Sequence, residues 1–152
     1  MTPAAARYHF TLAFDVRDCE CDLQGIVNNA VYQQYLEHTR HTFLRAHGLR
    51  FDELTRQGTH LVVARAELDY KAPLRSGDAF IVGLTLERLS PVRFVFLQDI
   101  YRRPDARLML ASRFTCAAMN DEGRPIMPRV IEPLFHAIGS PDQRIEARGR
   151  TP

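Results

Sequence analysis

The hydrophobic period of this chain switches from that of a strand to that of a helix at a pair of asparagines, Asn28 and Asn29, and this limits the possible folds more than any other feature. Upstream, Phe10, Leu12, Phe14 and Val16 face one way while Thr11, Asp15 and Arg17 face the other, which reads as a half-buried strand. Downstream, Tyr32, Tyr35, Leu36, Thr39 and Phe43 recur at helical spacing, with Gln33, Gln34, Glu37, Arg40, His41 and Arg45 covering the opposite face. Asparagine is a preferred N-cap, so the helix opens at Asn28 or Asn29. It runs for about five turns and stops at Gly48 in a C′ position.

Four alternating runs follow: Val62 to Tyr70, Phe80 to Leu86, Val92 to Ile100 and Leu108 to Cys116. Turn residues separate them, in Pro73 with Gly77-Asp78, Ser90-Pro91, Arg103-Pro104-Asp105 and Asn120-Asp121-Glu122-Gly123. One helix with a single apolar stripe, beside strands with a single apolar face, buries both surfaces if the sheet curls around it. The fold class is therefore α+β, with an antiparallel sheet of about five strands wrapped around one long helix.

With 152 residues, one domain over 1–139 is expected, followed by a polar tail, 140–152, read as disordered. Apolar content of 45% and charged content of 25% suit a globular protein. A net charge of +2 gives no case for nucleic acid or an anionic membrane as partner. No apolar run approaches a membrane span, and residues 1–7 lack the apolar core of a secretory signal. Cys19, Cys21 and Cys116 form no framework and are read as reduced thiols, so a cytoplasmic location is expected.

The chemistry points to the segment just before the helix. Asp22 sits on a tight turn with Gly25, directly upstream of a helix start. Such a start leaves backbone N–H groups unpaired and carries partial positive charge. A carboxylate beside an oxyanion stabiliser is what acyl transfer requires. Alone, Asp22 could equally be an Asx-turn or capping residue. Asp18 and Glu20 are read as loop charges, with Glu20 the second candidate for the carboxylate after Asp22.

The run Asp22-Leu23-Gln24-Gly25-Ile26-Val27-Asn28-Asn29-Ala30-Val31-Tyr32 resembles the active-site signature of the 4-hydroxybenzoyl-CoA thioesterase group of hotdog-fold acyl-CoA thioesterases. The likeness continues through Tyr35, Glu37, Arg40, Leu44 and Gly48 to the Tyr70, Pro73, Gly77-Asp78 turn, and spans residues 8–128. The resemblance implies a hotdog fold assembling as a homodimer or homotetramer. It also implies hydrolysis of an acyl-CoA, or acyl carrier protein, thioester without cofactor or metal. By the same resemblance Asp22 is the catalytic carboxylate, nucleophile or general base, and the backbone N–H of Asn29 meets the thioester oxygen. Gly25, Val27 and Tyr32 would complete the substrate-binding set. One branch of the family has His at the position of Asn29, so an acid or base from there is absent in this chain.

The rival readings are weaker. No Gly-x-Ser-x-Gly elbow accompanies His38, His41 and His47, and no His-Glu-x-x-His pattern supports a metal on the helix. The pattern of a hotdog hydratase is missing as well. A non-catalytic acyl-CoA-binding module is the alternative from another class, and Asp22 argues against it. With no cation between Asp22 and Tyr35, a medium or long fatty-acyl group or an aromatic acyl group is expected.

Overall fold

The computed structural model describes residues 7–137 and 145–148. Strand β1 (Phe10–Asp15) leads through a 3-10 turn at Asp18–Glu20 to helix α1 (Asn29–Ala46) and a short α2 (Phe51–Arg56). Strands β2 (His60–Tyr70), β3 (Ala79–Arg88), β4 (Arg93–Arg102) and β5 (Leu108–Met119) follow. The two-residue β6 (Pro125–Ile126), helix α3 (Glu132–Ala137) and β7 (Ile145–Arg148) complete the chain. The sheet runs β2-β5-β4-β3-β1-β7, with β6 on β5. The pairs among β1 to β6 are antiparallel, while β7 lies parallel to β1. Of the expected tail, 140–144 and 149–152 lie outside the described residues, and 145–148 form β7.

Helix α1 has the predicted limits for the predicted reasons. The Asn28 side chain caps it by accepting the Ala30 N–H, and Gly48 ends it with φ of 77°. Tyr32, Tyr35, Leu36, Thr39 and Phe43 are all buried against the sheet. Tyr32, Tyr35, Leu36 and Phe43 meet Phe10, Phe80, Val82, Leu84, Phe94, Phe96 and Ile100 in one core cluster. Every expected inter-strand turn falls between strands.

Arg40 departs from its expected polar face. It is only 8% exposed, with its guanidinium 4.1 Å over the Phe114 ring and Nη1 donating to Gln98 Oε1 at 2.9 Å. Gln98 in turn donates to the Leu36 carbonyl. An arginine at the flank of the stripe can bury its stem and stack its planar head on an aromatic face. This partner lies 58 residues away in sequence, where periodicity carries no information about it.

Strand β2 is an edge, and among the described residues no strand pairs with its outer side. Val62, Val63 and Tyr70 are exposed along it. Its inner neighbour β5 pairs along its length with one irregularity between Val63 and Arg65.

Candidate functional site

Residues 20–28 form a small hairpin between the 3-10 turn and α1. The Asn28 N–H donates to the Glu20 carbonyl, Cys21 bridges Val27, and the Asp22 N–H donates to the Ile26 carbonyl. Gly25 closes the turn with φ of 74° and its N–H donating to the Asp22 carbonyl. That positive φ is what calls for glycine, since a Cβ here would touch nothing within 4 Å. One limb of the hairpin therefore carries Asp22, and the other runs directly into Asn29.

Asp22 is half-buried. Its Oδ1 accepts the Gln24 N–H at 2.8 Å in an Asx-turn, and no hydrogen bond to Oδ2 is formed among the described residues. The Asx-turn thus engages one oxygen of the carboxylate and leaves the other without a partner among the described residues. Asn29, the first residue of α1, is exposed, and its backbone N–H has no backbone acceptor among the described residues. It is one of the donors that every helix start leaves open, at the positive end of an 18-residue helix.

Both groups line one cavity of about 460 Å³. Ile26, Val27 and Tyr32 supply part of its wall. Gln24 adds to it from the hairpin, and Tyr70, Lys71, Ala72 and Pro73 from the end of β2 and just beyond it. Of the five residues expected at the site, Asp22, Val27, Asn29 and Tyr32 line this cavity, whereas Gly25 shapes the hairpin without lining it. Tyr32 is buried and its hydroxyl accepts the Leu74 N–H at 2.9 Å, so it ties the helix to the β2–β3 connection. Burial raises the Tyr32 hydroxyl above its ordinary pKa. Tyr70 reaches across to donate to the Asn29 carbonyl at 3.0 Å, and its ring meets Tyr32 edge-on.

The wall from Tyr70 to Pro73 had a signal in sequence, its turn, but nothing that aimed it at the helix start. Glu20 had none. It is buried, not a loop charge: Oε1 accepts Arg17 Nε at 3.0 Å and Nη2 at 2.9 Å, and Oε2 accepts the Arg17 N–H at 2.8 Å and the Tyr35 hydroxyl at 2.6 Å. Burial alone would raise its carboxyl, yet the bonds from Tyr35 and Arg17 hold it below the usual carboxylate range. Asp18 contacts the Ser76 hydroxyl.

The histidines take structural places. His38 meets Phe14 edge-on, His41 stacks on Phe51, and His47 Nδ1 lies 2.9 Å from the Phe43 carbonyl. Burial lowers the pKa of His38 and His41. Among the described residues no three His, Cys, Asp or Glu side chains gather as a metal site, and no helix is long and apolar enough to cross a membrane. Arg102 pairs with Asp105, and the Arg144 to Arg150 cluster lies outside the described side chains.

Residues 16–144 match the model of the thioesterase-like superfamily. The chain is 36% identical over 121 residues to the acyl-acyl carrier protein thioesterase ATL3 of Arabidopsis thaliana, covering 79% of this chain and 64% of that protein. It thus spans less than two thirds of that relative's length. Its fold is similar to that of a 1,4-dihydroxy-2-naphthoyl-CoA thioesterase of Synechocystis, with a TM-score of 0.80 at 22% identity over 84% of this chain and 95% of that one. A hypothetical protein of Aquifex aeolicus is similar at a TM-score of 0.77 and 28% identity over 83% of this chain and 98% of that one. The fold is the hotdog, and the chain belongs to the thioesterase-like superfamily.

Proposed function

We propose that this chain hydrolyses acyl thioesters to a free acid and a thiol, with Asp22 as the catalytic carboxylate. One observation carries the reading: Asp22 lines the same cavity as Asn29, whose backbone N–H has no acceptor among the described residues. A thioester carbonyl whose oxygen accepts from Asn29 is polarised by that N–H and by the positive end of α1. Asp22 then takes a proton from an attacking water, or attacks the carbonyl itself. In either case the charge that develops on oxygen is held by the Asn29 amide. Collapse of the tetrahedral intermediate breaks the carbon–sulfur bond and releases the thiolate. On the first route the acid forms directly, and the thiolate takes up the proton that Asp22 drew from water. On the second an acyl–Asp22 anhydride forms, which a water then hydrolyses to the free acid, regenerating the carboxylate and supplying the thiol's proton.

Tyr32, Tyr70, Ile26, Val27, Ala72 and Pro73 give the cavity apolar and aromatic wall, suited to a medium or long fatty-acyl or an aromatic acyl group. Lys71 adds a cation to the same wall, suited to the phosphate of a CoA or of a carrier protein's prosthetic arm. Among the similar proteins named above, one is described as acting on acyl carrier protein and another on a CoA thioester. Thiol release from acetyl, octanoyl, palmitoyl and benzoyl CoA, followed with a thiol reagent, tests the reading. We expect kcat/KM to rise from acetyl to octanoyl, because each buried CH₂ contributes about 0.8 kcal/mol. A maximum at acetyl-CoA would sink the apolar acyl site, and binding without thiol release would point to a binding module. Octanoyl on carrier protein, assayed alongside, separates the two thiol carriers.

The same reading extends to assembly as a homodimer or larger homo-oligomer. Exposed Val62 and Val63 on an unpaired edge strand leave a surface open to strand pairing, which folds tend to cover or pair. Light scattering at micromolar concentration should give twice the 17.4 kDa chain mass or more, and a stable monomer would contradict this.

A further inference from the structure

Glu20 and Tyr35 make a link for which the catalytic reading of Asp22 has so far found no use. Glu20 lies two residues before Asp22, on the same limb of the hairpin. Its carboxylate accepts four hydrogen bonds, three from Arg17 and one from the Tyr35 hydroxyl at 2.6 Å. Tyr35 belongs to α1, the helix whose first amide is that of Asn29. The opposite limb is tied elsewhere, with the Val27 N–H donating to the Leu74 carbonyl. Among the described residues, the one side-chain hydrogen bond between Asp22's limb and the body of α1 is therefore Glu20 to Tyr35.

Packing alone does not call for this pair. The Tyr35 ring already meets Phe14, Phe80 and Tyr32, contacts that a phenylalanine would keep. Burying a carboxylate costs solvation that an apolar residue would not lose. With the three bonds from Arg17, the bond from the Tyr35 hydroxyl does, however, leave both groups satisfied, and no buried side-chain oxygen or nitrogen among the described residues lacks a partner. A charge-assisted bond of this kind is short and directional, so it fixes geometry as well as contributing energy.

We propose that Glu20 and Tyr35 are positioning residues that set the Asp22 carboxylate against the Asn29 amide. The link holds the hairpin limb to the frame of α1, so that base and oxyanion donor keep one separation as the acyl group enters. The proposal rests on the reading of Asp22 as the catalytic carboxylate. Small displacements of a reacting group are costly: about 1 Å can lower a rate by about a hundredfold.

The test uses the full chain with octanoyl-CoA, and Tyr35→Phe, Glu20→Gln and the double variant, with melting curves recorded for each. Tyr35→Phe removes one oxygen and Glu20→Gln keeps the side chain's shape. In each, kcat should fall about tenfold or more while KM shifts by less than about twofold. The double variant should lose little beyond the larger single loss, because both act through one bond. A kcat within about twofold of wild type in both single variants overturns the proposal, as does a loss carried by KM. A loss that tracks the fraction of unfolded protein makes the pair merely structural and overturns it too. If Asp22→Asn keeps full activity, the reading of Asp22 falls and this proposal with it. If Asp22→Asn is inactive while Tyr35→Phe and Glu20→Gln are not, the positioning role alone falls.

Discussion

Asp22→Asn should lower kcat for thioester hydrolysis by about 10²–10⁴-fold, the range that a positioned general base contributes. The fold should survive the change. An asparagine Oδ1 can still accept the Gln24 N–H, so the Asx-turn that shapes the hairpin is kept. Asp22 is only half-buried and forms no ion pair among the described residues, so no partner charge is left behind. What disappears is the basic, nucleophilic oxygen on a wall of the cavity. Circular dichroism and melting should match wild type while thiol release collapses. Wild-type thiol release in this variant would remove Asp22 from the chemistry.

Asn29→Pro should cost about 10²–10³-fold in kcat, the loss typical of removing one oxyanion donor. Proline is favoured at the first helical position, where its missing N–H has no intrahelical bond to break. It also restricts the preceding residue to extended backbone, and Asn28 already has φ of −58° and ψ of 138°. The substitution therefore deletes the amide and spares the helix. Asn29→Ala keeps the amide and should retain most of the activity. Equal, full activity in both variants would show that the backbone N–H at the start of α1 is not the oxyanion donor.

How much of this could be read from residues alone depends on how local each cause is. Helix α1 was legible to within a residue because its cap, Asn28, its stripe and its stop, Gly48, act within a few positions of one another. The faces of β1 and β3 were legible for the same reason. Helix α2 was not foreseen, since six residues with one buried side chain, Leu54, show no period. Glu20 looked like a loop charge because its burial is completed by Tyr35, fifteen positions on. Arg40 looked solvated because Gln98 and Phe114 come from strands laid down much later. The family signature implied Asp22, Gly25, Val27, Asn29 and Tyr32 as one site; all but Gly25 line one cavity. The Tyr70 to Pro73 wall depends on how the end of β2 meets the helix, which no local pattern encodes.

The proposed role of the N-terminal end of α1 and the hairpin before it is to stabilise the transition state of thioester cleavage more than to hold the substrate. Its most direct test is a paired measurement on octanoyl-CoA: the Kd from titration, and the single-turnover rate of thiol release. Both are taken for wild type, Asp22→Asn and Asn29→Pro. Kd values should lie within a few-fold of one another, and release should slow by about a hundredfold or more in both variants. Release at the wild-type rate from either variant, or a loss that appears wholly as weaker binding, would contradict it.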